Sequence, residues 1–452
     1  MTARNRFKLG RNTSGILRGV TAGMFAALIG CGIAFGDALD RMAMDKLKAT
    51  HAAVEQLKGD WKAVTPLPSQ YKEYRGVMHV HSRLSHDSRS TPEEVRKGAQ
   101  AVGVQVVMFN EHPAPTYDFV KDGNQGLKDG VLFIPGAEFG GLLSYPQESI
   151  TQKDFKSPQE RVDVVNAAKG MSFLCHLEER MDWDLNGLTG SEIYNLHADF
   201  KEESRLVKSL ASPAGLLPLI LASRSYPQEL TAALQDYPAD YLRRWDELCQ
   251  KSKLTGVAAN DAHHNNGLIA TLLENGDLKL EDRLGKPLAT INPNKVPIVK
   301  PFILGKKVGE PITLLDLDPY ERSFKHVNTH MLLTELSDPA VREALKAGRT
   351  FVAFEWIGDS TGFNFQVTQG EKVHELGSDI PFAEGMKFRS VSNLPVRFRL
   401  VKDGKEADSA IGRAYESAVK GPGVYRIELW VNMPDGPQIW ILSSPIYIRA
   451  AK

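Results

Sequence analysis

Between residues 76 and 267, short apolar runs alternate with segments that carry helix-start signals. We predict helices that begin after Thr91 and Ser157, because each is followed by a proline and, three positions on, by a glutamate. Strands and helices in alternation favour a parallel sheet or barrel, whose chemistry collects at the carboxyl ends of the strands. The apolar runs predict buried strands over residues 104–109, 131–135, 171–175 and 255–259.

The hydrophobic pattern changes toward the C terminus. Residues 268–355 indicate one clear helix, between the N-cap Ser337 and Gly348. After residue 362 the period becomes two, since apolar side chains and arginines alternate over residues 396–400 before an Asp403-Gly404 turn. This alternation is typical of half-buried antiparallel strands. The predicted divisions are a helical lead-in and linker over 37–75, a barrel with a C-terminal extension over 76–361, and a small all-β, sandwich-like domain over 362–452.

The first 36 residues have the pattern of an export signal. Five basic residues precede position 19, residues 19–36 are uncharged, and the first acid is Asp37. Cleavage before Asp37 is the favoured hypothesis. Two others stay open: Leu28-Ile29-Gly30-Cys31 resembles a bacterial lipobox that would lipidate Cys31, and residues 19–36 could remain as a membrane anchor. All three place the rest of the chain outside the cytoplasm, in the periplasm or held at a membrane.

Composition narrows the class of protein. The 452 residues include 42% hydrophobic side chains and 55 acidic against 55 basic ones, which is typical of a globular protein and not of bulk disorder, a polytopic membrane protein or a disulfide scaffold. A neutral total also gives no electrostatic argument for nucleic-acid binding. Beyond the leader only Cys175 and Cys249 remain, as one disulfide or as two buried thiols.

The histidines provide the first chemical clue. Because i and i+2 side chains of an extended chain point to one side, the imidazoles of His79-Val80-His81 can reach one ion, and Asp261-Ala262-His263 repeats the spacing. Nitrogen and oxygen ligands together suit Zn²⁺, Mn²⁺ or Fe better than Ca²⁺ or Mg²⁺. Eight of the twelve histidines lie in one stretch, namely His79, His81, His86, His112, His176, His197, His263 and His264. The candidate ligands that follow predicted strands are His112, Glu138, His176, Asp261 and His263.

Six short motifs resemble, in order and spacing, those of the PHP (polymerase and histidinol phosphatase) superfamily. They are His79-Val80-His81-Ser82 with Ser85 and Asp87, Asn110-Glu111-His112, Gly136-Ala137-Glu138, Cys175-His176, Glu192-Ile193-Tyr194-Asn195, and Asn260-Asp261-Ala262-His263. The resemblance implies a distorted (β/α)7 barrel, two or three divalent ions and phosphoester hydrolysis by a metal-bridging hydroxide. Ser444-Pro445-Ile446-Tyr447 also resembles the appended β domain of exported members.

The resemblance also implies roles for single residues. Asp261 and His263 are the candidates for moving a proton. The chain has Ser85-His86-Asp87 where many members have Ser-Asp-Gly, so His86 and Asp87 both qualify as ligands, and Asp87 is favoured. Residues 139–175 contain no histidine, so the second ion would draw on water, substrate or a carboxylate. The implied ligands are His79, His81, Glu138 and Asp261 for one ion, Glu138 and His176 for a second, and Asp87, His112 and His263 for a third.

Four further side chains are candidates for contacting a substrate: His197, His264, Arg83 and Arg180. The sequence therefore predicts an exported metal-dependent hydrolase, a phosphoesterase that acts on a small phosphorylated metabolite or nucleotide. Two alternatives stay open. One is hydrolysis of an amide or a nucleic-acid phosphodiester, and the other is a non-catalytic module that binds metal or phosphate.

Overall fold

The computed structural model describes residues 37–150, 154–210 and 213–451. The predicted leader, with its cleavage, lipidation and anchor alternatives, lies outside these residues. No helix in the described part of the chain is long and apolar enough to cross a membrane. Cys175 and Cys249 are both buried free thiols, so the disulfide alternative is wrong.

The fold is mixed α/β and contains a large sheet. The strands are β1 Lys72–Val80, β2 Val106–Phe109, β3 Gly126–Lys128, β4 Val131–Ile134, β5 Ala137–Phe139, β6 Leu142–Ser144, β7 Ser172–Leu174, β8 Gly190–Asn195, β9 Thr255–Ala262, β10 Gly267–Leu272, β11 Leu278–Asp282, β12 Pro287–Ile291, β13 Pro311–Asp316, β14 Asn328–Leu333, β15 Thr350–Ala353, β16 Asn364–Gln369, β17 Lys372–His374, β18 Asp379–Pro381, β19 Lys387–Lys402, β20 Lys405–Ala418, β21 Gly423–Met433, β22 Gly436–Ser443 and β23 Ile446–Arg449. The helices are α1 Ala38–Arg41, α2 Met44–Asp60, α3 Pro92–Ala101, α4 Pro158–Ala167, α5 Leu196–Glu202, α6 Ser204–Leu210, α7 Pro213–Ser225, α8 Pro227–Ala232, α9 Ala239–Lys251, α10 Lys300–Ile303, α11 Tyr320–His326 and α12 Asp338–Ala347.

Six strands run parallel in the order β4, β2, β1, β9, β8 and β7. Next to β7 in the sheet lie two short strands, β6 and then β5, each antiparallel to its neighbour. A single parallel bridge joins Glu111, which follows β2, to Ala137 of β5. Apolar side chains on one face of the parallel strands, among them Met78, Met108 and Phe173, form one buried cluster. This packing fixes the strands, so their carboxyl ends all open on the same side.

The other face of the first strands is covered by helices. Val77, Val107 and Phe133 pack there with residues of α3 and α11. The sequence correctly predicted how α3 starts, since the Thr91 hydroxyl accepts from the Glu94 amide and the Glu94 carboxylate accepts from the Thr91 amide.

The C-terminal strands are antiparallel in all but one pairing, β18 with β23. The hairpin of β19 and β20 across Asp403-Gly404 confirms the turn predicted there. These strands also continue the large sheet, because β15 pairs with β22. The division of the chain at residue 362 stays a prediction.

The structure differs from the sequence interpretation in two places. Strand β1 begins at Lys72, inside the predicted linker, because its polar first half pairs antiparallel with β14. Residues 268–355 hold much more than one helix. They include a separate four-stranded sheet in the order β12, β11, β10 and β13, whose half-exposed strands lack a clear apolar period.

Candidate metal centre

The ends of successive parallel strands bring histidines and carboxylates together. His79 lies in β1 and Asp261 in β9, His112 and His176 follow β2 and β7, and Glu138 lies in β5, the short strand after β4. Both His79 and His81 are fully buried. The side chains form four overlapping sets, and within each set the ligand atoms all lie within 4.8 Å of one another. The sets are His79, His81 and Asp261; His79, Glu138 and His176; His81, Asp87, His112 and His263; and His197, Asp261 and His263.

Asp261 belongs to two of these sets, and Glu138, which belongs to one, also approaches His112 of another. The Glu138 Oε2 atom is 3.2 Å from His79 Nε2 and 3.6 Å from His112 Nδ1, while its Oε1 atom is 3.2 Å from His176 Nε2. Asp261 likewise places Oδ1 3.3 Å from His79 Nε2 and Oδ2 3.6 Å from His176 Nε2. Each carboxylate therefore faces two groups of imidazoles, as a ligand bridging two ions would.

Asp87 completes a further group. Its Oδ2 atom is 3.3 Å from His112 Nε2 and 3.1 Å from His263 Nε2. The His263 ring stacks on the His81 ring with centroids 4.0 Å apart. His86 is exposed and belongs to none of the ligand sets, so the structure brings Asp87 and not His86 into the cluster.

Buried nitrogen and oxygen atoms without hydrogen-bond partners indicate that the cluster can bind cations. Within the described residues, His79 Nε2, His81 Nε2 and Asp87 Oδ1 are buried and make no hydrogen bond, although carboxylate oxygens lie near both nitrogens. Such atoms cost about 1–3 kcal/mol each when left unsatisfied. Two ligand atoms that each lie about 2.0–2.2 Å from a tetrahedral ion are about 3.3–3.6 Å apart. The distances between imidazole nitrogens and carboxylate oxygens in the cluster match this spacing. The residues therefore fit divalent metal ions.

The charges in the cluster perturb one another strongly. Burial alone would lower the pKa of His176, but hydrogen bonds to Glu138 and Glu178 raise it to about 10. Burial likewise opposes protonation of His263, yet Asp87 and Asp261 raise its pKa to about 9. In the absence of ions, protons on these imidazoles balance the carboxylates, and a metal ion would replace them.

Carboxylates behind the ligands orient the imidazoles. Glu192 is fully buried and its Oε1 lies 2.7 Å from His79 Nδ1, while Oε2 accepts from the His176 amide at 2.9 Å. Glu178 contacts His176 Nδ1 at 3.2 Å. Both arrangements place the ring proton on Nδ1 and leave Nε2 for an ion. Glu192 belongs to one of the six motifs noted in the sequence, whereas Glu178 lies outside all of them and its role was not predicted.

Asn110 and Glu111 support the first motif. Asn110 Oδ1 accepts from the His79 amide at 3.0 Å. Glu111 accepts from the Ser82 amide at 2.9 Å and from the Ser85 hydroxyl at 2.8 Å, and that hydroxyl contacts His81 Nδ1 at 3.0 Å. The loop after β1 is thus fixed by the residues that follow β2.

The extended-chain argument for His79 and Asp261 is wrong in its geometry. His79 has φ 60° and Asp261 φ 47°, both left-handed, and the register of β1 shifts between Met78 and Val80. The rings of His79 and His81 still converge, with centroids 5.2 Å apart. A local bulge, and not simple alternation, therefore brings the two histidines together.

The candidate substrate residues are placed differently from one another. His197 reaches the cluster, with Nδ1 3.9 Å from Asp261 Oδ2. His264 pairs instead with Asp316 at 3.2 Å, and Arg180 donates to the carbonyl oxygens of Cys175 and His176. Arg83 is exposed on the loop after β1 and belongs to none of the ligand sets.

Comparison with known proteins gives little further information. No family model and no curated protein matches the chain. Among solved structures it is similar to a two-domain protein from Bacteroides vulgatus, described as containing a predicted PHP-like metal-dependent phosphoesterase, with 14% identity over 85% of this chain and 98% of that one and a TM-score of 0.35. So distant a similarity carries no functional argument, and function has to be inferred from the geometry of the centre.

Proposed function

We propose that the protein is a metal-dependent phosphoesterase that hydrolyses a small phosphorylated compound at the carboxyl ends of its parallel strands. The observation that carries the proposal is that the Glu138 and Asp261 carboxylates each present their two oxygens to different buried imidazoles. A structural site needs one closed ligand set, whereas two carboxylates that each face two sets are suited to ions held side by side.

Two or three divalent ions, Zn²⁺, Mn²⁺ or Fe, would supply a water nucleophile at neutral pH and neutralise the phosphate. The chain's own residues hold the rest of the geometry. Glu192 and Glu178 fix the rings of His79 and His176, and Asp87 aligns His112 with His263. Asp261 and His263 remain the candidates to hold or move a proton, and each of them belongs to two of the four ligand sets.

The finer features of the proposal come from the sequence. They are membership of the PHP superfamily with its distorted (β/α)7 barrel, export by the leader, and a phosphorylated small-molecule substrate with no nucleic-acid partner. The alternation of strands and helices and the basic, then apolar, leader support them. A reporter enzyme fused after residue 60 would be active in the periplasm only if the leader exports it.

Metal analysis and a phosphoester panel test the activity. We expect at least two ions per chain and turnover that Asp261→Asn reduces by about 100-fold or more, because ligand charge supplies several kcal/mol. Asp403→Asn is the matched control, since Asp403 is also left-handed, at φ 51°, but lies in the hairpin turn. Fewer than two ions, or no ester hydrolysed faster than by Asp261→Asn, would overturn the proposal. If the protein cleaves only amides or the ends of nucleic acids, the proposed substrate class of small phosphorylated compounds is wrong.

A further inference from the structure

A cavity adjoins the metal centre. Its wall is formed mainly by the helices α5 to α8, which lie between β8 and β9 in the chain, and by the segment after β13. Nine of the sixteen lining residues are apolar, among them Phe200, Leu206, Leu219 and Leu230, and the polar ones include Thr231 and Asp318. Apolar walls that enclose a few polar groups are typical of a site for an organic ligand.

Metal-centre residues form one end of this cavity. Asp261 and His197 line it, and both belong to the same candidate ligand set. Whatever fills the cavity therefore lies next to the group that binds at the ions. The apolar wall is continuous with the reacting position and is not a separate surface site.

Two buried polar atoms at this end lack partners. Asn260 and Ser323 both line the cavity and are each 2% exposed, and Asn260 Oδ1 and Ser323 Oγ make no hydrogen bond within the described residues. The Asn260 amide nitrogen is already engaged, since it donates to the carbonyl oxygens of Ser323 and Val327. The free Oδ1 acceptor is thus available for a ligand hydroxyl.

We propose that the cavity binds the organic group of the substrate, which makes the substrate a phosphomonoester of a hydrophobic alcohol. In the reaction the bond between phosphorus and the ester oxygen breaks, the oxygen of water bonds to phosphorus, and a proton from that water ends on the released alcohol. The new hydroxyl is the donor that Asn260 Oδ1 lacks. Along the apolar part of the wall an alkyl group is favoured over a sugar, because sugar hydroxyls would lose water against the leucine side chains there.

The inference rests on the proposed function for its phosphoester, but the cavity is tested separately from the chemistry. Straight-chain 1-alkanols from ethanol to octanol are titrated into the metal-loaded protein by calorimetry. We expect affinity to rise about three- to fourfold per methylene, the gain for moving a CH₂ out of water, until the cavity is full. The kcat/KM values for the corresponding alkyl phosphates should rise with the same chain-length dependence.

A pair of variants on one helix supplies the control. Leu219 lines the cavity and is 3% exposed, whereas Leu221 of the same helix is 48% exposed and does not line it. Leu219→Trp should abolish the chain-length dependence of alkanol binding, and Leu221→Trp should leave it as in the unmodified protein. Circular dichroism identifies a Leu219→Trp protein that fails to fold, in which case the alkanol series on the unmodified protein decides.

The outcomes separate the two proposals. Chain-length-dependent alkanol binding without any phosphate release supports the apolar cavity and overturns the phosphoesterase. Hydrolysis of small phosphoesters with no dependence on chain length, in binding or in kcat/KM, supports the phosphoesterase and overturns the cavity's role. Equal chain-length dependence in Leu219→Trp and Leu221→Trp would also overturn it, since the alkyl group would then bind elsewhere.

Discussion

Replacing Glu192 with glutamine should weaken metal binding, although Glu192 is not placed to touch an ion. The side chain is fully buried and serves three donors: His79 Nδ1 at 2.7 Å, the His176 amide at 2.9 Å and the Asn195 side-chain amide at 3.2 Å. Glutamine keeps the shape of the side chain but has one carbonyl oxygen in place of two carboxylate oxygens. Either orientation of the amide points its own N–H groups at a donor.

The size of the effect follows from these contacts. If the carbonyl oxygen keeps His79, the His176 and Asn195 donors lose their acceptor, and if it keeps those two, the His79 ring loses its anchor. Loss of a carboxylate behind a ligating histidine typically lowers metal affinity about 10- to 100-fold. That range corresponds to about 1.4–2.8 kcal/mol of binding free energy, close to the value of one charge-assisted hydrogen bond.

Competition with a chromophoric chelator at neutral pH measures this affinity. Glu355→Gln is the matched control, because Glu355 is 1% exposed and pairs with the buried His330 at 3.2 Å but belongs to none of the ligand sets. Both variants should unfold at a lower temperature than the unmodified protein, and only Glu192→Gln should bind metal more weakly. If Glu192→Gln keeps full metal affinity while losing stability, Glu192 supports the fold and not the ions.

Four further predictions concern pH and packing. Without ions the pKa of His176 is raised to about 10 and that of His263 to about 9, so protons compete with metal ions for these imidazoles. Metal affinity should therefore rise between pH 7 and pH 10, and calorimetry should detect proton release on binding. A metal affinity that does not change with pH would contradict this. The same raised values mean that the metal-free protein keeps their full stabilisation below the unfolded pKa of about 6.5 and loses it as pH rises through 9 to 10, as urea unfolding at several pH values would show. Gly98→Ala should destabilise the protein by about 1–3 kcal/mol, because a Cβ there would lie 2.7 Å from Tyr320 Cβ. The Cβ added by Gly59→Ala in α2 meets nothing within 4 Å, so that variant should stabilise the protein by about 0.5–1 kcal/mol. Equal thermal midpoints of the two variants would contradict this packing argument. Asp246→Asn should cost about 1–3 kcal/mol in chemical unfolding, because the buried Arg426 guanidinium loses its bidentate carboxylate partner but keeps Glu428, and a loss below about 1 kcal/mol would show that water reaches the pair.

The sequence predicted four of the six parallel strands, namely β2, β4, β7 and β9, because they are buried along their whole length. The apolar runs at 131–135 and 255–259 correspond to β4 and to the first part of β9. The sheet of β10 to β13 was missed because its strands are half-exposed, and β12 is exposed along almost its whole length. A strand that buries little apolar surface leaves no period in the sequence, and its position depends on contacts made far along the chain.

The candidate ligands could be found in the sequence because parallel strands end at one edge. That rule brings Glu138 and Asp261 together although they are far apart in the chain. It says nothing about side chains that reach the ligands from helices or turns. Glu178 lies in a short helical turn after His176, and Asp316 reaches His264 from β13. Their roles depend on the path of the backbone between elements, which local residue patterns do not determine.

Left-handed backbone conformations link the fold of this centre to its chemistry. Among the described residues other than glycine, seven have positive φ, and four of them are His79, His176, Asp261 and His264. Such conformations cost about 1–3 kcal/mol each and persist only where surrounding contacts hold them. At His79 and His176 the holding contacts are side chains that accept from the backbone amide, Asn110 for the first and Glu192 for the second. Glu192 also holds the His79 ring, so one buried carboxylate stabilises the strained backbone of one ligand and sets the imidazole proton of another.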